Sequence, residues 1–196
     1  MKHQLLIEYL GKYGQISKLE ELDIIKYFTP IETSRKQILI AKHQTCNKLF
    51  FVNKGLIRAY YTNVNGKEIT RMIAWEGRFL TNIVSFKNFS ENDEQIECIE
   101  KAEILYVNKQ NFDFLMKSSL NLKSIYADIL EEYNALHIKR FQSINTFNLD
   151  QQFEYLYSDF PNLINRASDN ILASFLGISR EYLVKNKHLL YFFLFF

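Results

Sequence analysis

The feature that most constrains the fold is a series of short strand-like runs between residues 31 and 107. Turn residues separate these runs at intervals of about 8–12 residues, which is typical of an antiparallel barrel or sandwich. Asn65-Gly66, between two of the runs, predicts a β-hairpin with a type I′ turn. The runs are β-branched or aromatic, and they are Ile38–Ile40, Leu49–Val52, Leu56–Tyr61, Ile69–Ile73 and Ile104–Val107.

Helical patterns flank the strand region on both sides. Residues 1–29 carry apolar residues at spacings of three and four, with a capping-box signature at Ser17 and Glu20, and Thr29-Pro30 ends the region. A second helix, from Leu120 to Ile144, contains neither glycine nor proline.

This long helix has two apolar stripes. The stripe expected to face its own domain is Leu122, Ile125 and Leu130. The other has coiled-coil spacing and predicts a seam with a second copy of the chain in a symmetric dimer. Its residues are Tyr126, Ile129, Tyr133 and Leu136. A helix packed only on the barrel is the alternative.

The stretch from Ser168 to His188 has the pattern of a helix-turn-helix. Gly177 suits a tight turn, Ser179 suits the N-cap of a second helix, and Leu183 is expected to face inward. Ala173 lets the two helices cross closely. A second helix exposed in this way can enter a DNA major groove. An ordinary helix–loop–helix corner is the alternative reading of the same residues.

Composition excludes several classes of site. The formal net charge is only +2, so DNA binding has to depend on local charge. The two cysteines, Cys46 and Cys98, are isolated, so we expect no metal site and no disulfide framework. We expect no signal peptide and no membrane-spanning segment, which favours a cytoplasmic protein.

The order of elements and four motifs together resemble the Crp/Fnr family of bacterial transcription regulators, in its short, Bacteroidetes-like form. The motifs are Phe51–Tyr61, Asn65–Thr70, Trp75–Gly77 and Ile171–Glu181. The resemblance implies an α+β fold with an antiparallel β-roll like a cyclic nucleotide-binding jelly roll, a long dimerisation helix and a C-terminal helix-turn-helix. The implied domains are 1–118, 119–146 and 147–196.

The resemblance also implies which residues read DNA. Arg180 and Glu181 match the first positions of the recognition helix, and Lys185 matches a basic contact one turn later. Arginine can donate to guanine, glutamate can accept from cytosine, and lysine reaches guanine or phosphate. Ser179 at the N-cap can donate to a phosphate. Solvated surface residues of an ordinary helix are the alternative.

The effector pocket departs from the cyclic nucleotide-binding members of the family. The cassette entry reads Phe79-Leu80-Thr81 without glycine or glutamate, and Asn92-Asp93 stands where an Arg-Ser pair would hold the cyclic phosphate. Carboxylates in that loop oppose a bound phosphate. We therefore expect a degenerate pocket, no cyclic AMP and no cofactor.

The sequence thus predicts a homodimeric transcription regulator that binds double-stranded DNA at a palindromic site, with RNA polymerase as a further partner. The alternative is a ligand-sensing or interaction module that has lost DNA binding, since the last residues, 189–196, are strongly apolar. An enzyme such as a cupin-like metal barrel is disfavoured, because His43 is the only histidine between 31 and 107.

Overall fold

A computed structural model describes residues 2–160 and 163–192. The strands are β1 (Thr29–Thr33), β2 (Ile38–Ile40), β3 (Lys48–Lys54), β4 (Ile57–Thr62), β5 (Glu68–Ala74), β6 (Phe79–Leu80), β7 (Glu94–Cys98) and β8 (Ala102–Asn108). The helices are α1 (Gln4–Leu10), α2 (Lys18–Tyr27), α3 (Ile83–Asn88), α4 (Lys109–Ser118), α5 (Leu120–Thr146), α6 (Leu149–Asp159), α7 (Leu163–Arg166), α8 (Asp169–Leu176) and α9 (Arg180–Phe192).

Two antiparallel sheets form the roll, as the strand pattern predicted. One has the strand order β1-β8-β3-β6 and the other has the order β2-β7-β4-β5. The long pairing of β3 with β8 joins Lys48 to Asn108 and Val52 to Ile104. The described residues therefore form an α+β fold with an antiparallel roll, a long helix and C-terminal helices.

Aromatic and aliphatic side chains fill the core of the roll. Phe50 and Phe51 are almost completely buried on β3. The Phe51 ring packs edge-on against Phe79 with centroids 4.9 Å apart, and Tyr9 of α1 lies 5.7 Å from both rings. This packing holds α1 against the face of the sheet that β3 and β6 form together.

Several local predictions are confirmed. Ser17 caps α2 in a capping box with Glu20, and α2 ends at Tyr27, just before Thr29-Pro30. The long helix extends from Leu120 to Thr146, close to its predicted bounds. The helix stop predicted at Pro161 lies outside the described residues, as do residues 193–196 of the apolar C-terminus.

The hairpin at Asn65-Gly66 forms, but the predicted type I′ turn is wrong. Such a turn needs a positive φ at both central residues, and only Gly66 has one, at 76°. Gly66 N instead donates to Asn63 O (3.0 Å), and the Asn63 side chain accepts from the backbone of Asn65 and Lys67. The Asn63 carboxamide therefore favours a turn that starts one residue earlier than predicted.

The sequence pattern missed the strands β1, β6 and β7 and the helix α3. Residues 91–103 are rich in glutamate, which hides the alternation of buried and half-buried positions along Glu94–Cys98. Helix α3 starts at the N-cap Asn82, whose side chain accepts from Ser85 N. Its short length gave too few apolar repeats to detect.

The chain divides into two compact units whose bounds differ from the predicted domains. One unit contains residues 1–61 and 71–131, and the other contains 62–70 and 132–196. The boundaries at 118 and 146, which the family resemblance implied, stay a prediction. The hairpin tip clusters with the C-terminal helices, and α5 contributes to both units. No described helix is long and apolar enough to cross a bilayer.

Candidate nucleic-acid interface

Helix α8 provides the buried support of the candidate site. Its N-cap is Ser168, whose hydroxyl accepts from Ile171 N. The apolar face is buried, and it consists of Leu172, Ala173, Phe175 and Leu176. The predicted inward face of the first helix is thus confirmed, with Phe175 as an addition.

The turn after α8 depends on Gly177. This residue adopts the left-handed conformation, with φ at 75°, and caps the helix. A Cβ atom at this position would lie 3.3 Å from Ile144 Cγ2 on α5. Ile178 N then donates to Ala173 O (3.1 Å), which closes the turn. Glycine is required here by conformation and by the close approach of α5.

Helix α9 begins where the sequence predicted. Ser179 Oγ accepts from Tyr182 N (3.1 Å), and the Ser179 side chain also hydrogen-bonds to the Glu181 carboxylate. Leu183 is completely buried and anchors the helix. Arg180, Glu181 and Lys185 are exposed. The four predicted DNA-contacting residues therefore lie at the exposed N-terminal end of α9, whose inner face is buried at Leu183.

The charged side chains of this surface differ in their hydrogen-bond and ion-pair partners. Hydrogen bonds from its own backbone amide and from Ser179 lower the pKa of Glu181, and the charges of Arg180 and Lys67 act in the same direction. Within the described residues, Arg180 and Lys185 form no ion pair. Lys187 instead pairs with Asp169 of α8 at 2.6 Å. Arginine and lysine at the start of α9 thus remain open to an external anion.

The predicted dimer seam requires a correction at two positions. Ile129 is buried within its own chain, and the Tyr126 ring packs against Phe112 of α4 with centroids 4.9 Å apart. Burial also raises the pKa of Tyr126. The other two residues, Tyr133 and Leu136, are half-buried. The helix is rotated relative to the prediction because α4 takes the face that the spacing assigned to a partner.

A different stripe of α5 is exposed. Phe141 is 69% exposed, Ile138 is 54% exposed, and Leu130, predicted to face its own domain, is 40% exposed. Asn134 lies between them on the same side. Residues at 130, 134, 138 and 141 follow the helical spacing of three and four, so they form one continuous outward face.

The predicted effector pocket also requires a correction. Phe79 and Leu80 are core residues of β6, paired with Phe51 and Phe50 of β3. Both side chains are buried, and the Phe79 ring packs against Phe51 and Tyr9. That the effector pocket is degenerate stays a prediction.

The other three predicted pocket residues serve the local backbone or face solvent. Thr81 Oγ1 donates to Lys48 O (2.8 Å). Asn92 is buried; its amide donates to Gln44 O, and its carbonyl oxygen accepts from Glu94 N at 2.8 Å. Asp93 has 78% of its side chain exposed. Asn92 therefore has a structural role, which an asparagine at a strand start can signal in a sequence.

The residues that sequence reasoning missed form a buried polar network next to these positions. The side chain of Glu94 is completely buried, and its two carboxylate oxygens accept from Nε and Nη2 of Arg71. Asn82 Nδ2 donates to the same carboxylate at 2.7 Å. Burial raises the pKa of Tyr61, and the charge of Glu94 adds to this effect. A carboxylate already occupies this polar site of the roll.

No group of three or more metal-ligating side chains occurs in the part of the chain that the structure describes. Cys46 and Cys98 are buried and unbridged. Burial raises the pKa of the Cys98 thiol. Neither cysteine has the exposed thiol that metal binding or reactivity needs.

Comparison with known proteins identifies the domain and the fold. A family model described as "Cyclic nucleotide-binding domain" matches residues 30–119. The structure is similar to FixK2 from Bradyrhizobium japonicum, with a TM-score of 0.71, 10% identity and coverage of 84% of each chain. It is also similar to a Crp/Fnr-family transcriptional regulator from Eubacterium rectale, with a TM-score of 0.69, 16% identity and coverage of 91% of this chain and 85% of that one.

A third similar structure is CLP of Xanthomonas campestris, a global regulator that responds to c-di-GMP. Its TM-score is 0.67 at 14% identity, with 86% of this chain and 89% of that chain covered. In sequence, 161 residues are 28% identical to non-toxic nonhemagglutinin type A of Clostridium botulinum, strain Kyoto / Type A2. That match covers 79% of this chain and 13% of the clostridial protein, so the chain spans only a small part of that protein's length.

The matched segment contains nearly all of β1, all of β2 to β8 and all of α4, so it includes the roll described above. The structural matches extend beyond it into the C-terminal helices, because they cover 84% or more of the chain. Residues 30–119 of this chain therefore match the model of the cyclic nucleotide-binding domain, and the chain has the fold of the solved Crp/Fnr regulator.

Proposed function

We propose that this protein is a DNA-binding transcription regulator of the Crp/Fnr type, which acts as a homodimer on a palindromic site. The observation that carries the proposal is the exposed start of α9. Arg180, Glu181 and Lys185 face outward there, while Leu183 is completely buried beneath them. A rigid, exposed helix start with open cations is what major-groove reading requires.

Each side chain at this start has a chemistry that suits DNA. Arg180 can donate two hydrogen bonds to guanine O6 and N7, and the ionised Glu181 can accept from cytosine N4. Lys185 lies one turn further on, where an ammonium group reaches guanine or phosphate. The Ser179 hydroxyl and the N-terminus of α9 suit a phosphate oxygen.

The exposed stripe of α5 supports dimerisation. Leu130, Ile138 and Phe141 would be buried by the same helix of a second copy, and symmetric pairing is the commonest way to cover such a face. Tyr133 and Leu136, at the half-buried edge of the stripe, would flank this seam. Two recognition helices in such a dimer would reach half-sites about 34 Å apart. RNA polymerase remains a proposed further partner.

The polar network of the roll supports regulation without cyclic AMP. A cyclic phosphate needs open donors and positive potential. Arg71 and Asn82 already donate to the buried Glu94 carboxylate, and the predicted entry residues Phe79 and Leu80 are core. We therefore propose that the effector, if the protein has one, is not cyclic AMP, and that no cofactor is needed for folding.

The test is a salt-dependent DNA-binding assay with duplexes selected from genomic fragments. We expect Arg180→Ala to weaken binding to the selected duplex by about 1–3 kcal/mol and to relax specificity at one base position. Val184→Ala is the matched control, because Val184 lies on the same helix and is 46% exposed, but it carries no charge or hydrogen-bonding group.

Equal affinity of wild type and Arg180→Ala for selected and scrambled duplexes would contradict the assignment of Arg180. Complete lack of salt-dependent binding by the wild type would contradict the regulator itself. It would favour the ligand-sensing or interaction module, which uses the same fold without DNA.

A further inference from the structure

The tip of the β4–β5 hairpin belongs to the same compact unit as the C-terminal helices, although the sequence places it in the roll. Two hydrogen bonds fix it to α8. Ser174 Oγ accepts from Thr70 N at 2.7 Å and lies 3.1 Å from the carbonyl oxygen of Glu68. The hairpin is therefore attached to the helix that precedes the recognition helix.

Arg140 of α5 joins the same two elements. Its side chain is buried, and the guanidinium donates to Thr70 O and to Phe175 O, both at 2.5 Å. It also stacks over the Phe175 ring, with 3.9 Å between Cζ and the ring centroid. An arginine that donates to backbone carbonyls of two elements holds them in one relative position.

The consequence is that Lys67 lies beside the start of α9. It directly precedes Glu68, whose carbonyl is held by Ser174, and its own backbone amide is fixed by the Asn63 side chain at 3.0 Å. Its side chain is exposed. Its positive charge is near enough to contribute to the lowered pKa of Glu181.

We propose that the hairpin tip is part of the DNA-binding surface and that Lys67 contacts a backbone phosphate beside the bases reached by Arg180 and Glu181. This inference depends on the proposed function. A lysine ammonium on a fixed turn suits a phosphate, because that contact needs charge and position but no base-specific geometry. The hairpin would thus add affinity and register to the recognition helix, but no sequence preference.

The experiment measures the dissociation constant of the full chain for a selected duplex at several salt concentrations. We expect Lys67→Ala to reduce the slope of log affinity against log salt by about one. At constant salt the variant should lose about three- to tenfold in affinity, equally for selected and scrambled duplexes. Because Lys67 is exposed, the substitution should leave folding intact.

Lys101→Ala is the matched control, since Lys101 is an exposed lysine in another turn between strands, β7 and β8, of the other compact unit. It should leave the salt slope unchanged. Ser174→Ala keeps Lys67 but loosens the hairpin, so it should give part of the Lys67→Ala loss.

Two results would overturn the inference while leaving the proposed function intact. One is a slope of log affinity against log salt in Lys67→Ala that equals the wild-type slope. The other is tighter DNA binding by that variant, which would mean that the hairpin shields the recognition helix. A wild-type protein that binds no duplex would overturn the proposed function and this inference together. Loss of specificity without a change of slope would mean that Lys67 acts on a base.

Discussion

Two arginines of this chain differ in their ion pairing. Arg71 lies in the roll, and Arg180 lies at the start of α9. Arg71 donates to a carboxylate, Glu94, that is completely buried. Arg180 is exposed and has no ion-pair partner among the described residues. An arginine that the fold already neutralises contributes to the fold, whereas one that the fold leaves open can bind an external anion.

The contrast supports the proposal that the effector is not cyclic AMP. The polar site beside β6 is filled by an internal carboxylate. The cations of α9, Arg180 and Lys185, are supported from below by apolar packing at Leu183 rather than by counter-charges. Anion recognition is therefore expected at the second region and not at the first.

The largest expected effect tests the internal neutralisation directly. Glu94→Gln removes the negative charge to which Arg71 and Asn82 donate. Removing one partner of a buried ion pair typically destabilises a protein by about 3 kcal/mol. We expect the free energy of unfolding in urea to fall by this amount. The control is Asp93→Asn, at an adjacent and 78% exposed carboxylate, which should change it by less than about 0.5 kcal/mol. Similar losses in both variants would mean that Glu94 is no more important than a surface carboxylate.

The second effect tests whether the exposed site has a rigid support. Gly177 and Gly66 both have a left-handed backbone, with φ at 75° and 76°. Only at Gly177 would a new Cβ meet another residue, Ile144 at 3.3 Å, while nothing lies within 4 Å at Gly66. In both alanine variants, backbone strain should lower the free energy of unfolding by about 1 kcal/mol. In Gly177→Ala, the contact with Ile144 should lower it by about 1 kcal/mol more. Thermal unfolding measures both, and equal losses would show that α5 does not constrain the turn.

The smallest effect concerns Glu20, a carboxylate that is neither completely buried, as Glu94 is, nor fully exposed. Burial raises the pKa of Glu20, but hydrogen bonds from Ser119, Ser17 and Asn121 outweigh it and lower the pKa from 4.5 to about 2. A depressed pKa stabilises the fold above the unfolded value, and this contribution disappears as pH falls from 4.5 towards 2.

Glu20→Gln should therefore be less stable than wild type at neutral pH by about 1 kcal/mol, because the group is partly solvated. The difference should vanish at about pH 2, where the wild-type carboxyl is protonated. Ser119→Ala removes one of the hydrogen-bond donors to Glu20, so the pKa of Glu20 should be less depressed. The pH range over which its contribution to stability is lost should then be narrower. A difference between wild type and Glu20→Gln that persists unchanged to pH 2 would show that the pKa is not depressed.

Much of the fold could be predicted from local patterns. Alternating apolar residues gave the main strands, Ser17 and Glu20 gave a helix start, and Gly177 with Ser179 located the turn before α9. These features depend on residues close together in the chain, where backbone preference and capping chemistry act. The prediction of which face of α5 lies outward was wrong at Tyr126 and Ile129, since that depends on what packs against the helix.

By itself, the sequence located the main helices and five of the strands, indicated that the strands pair antiparallel, and identified which charged residues stand at the start of α9. Only the tertiary structure decided that Glu94 is buried against Arg71, that Phe79 and Leu80 are core, and that Glu68, next to Lys67, is hydrogen-bonded to Ser174 of α8. The physical reason is that burial and electrostatic pairing are properties of neighbours in space. Residues 67 and 181, or 71 and 94, carry no mutual signal along the chain until folding brings them together.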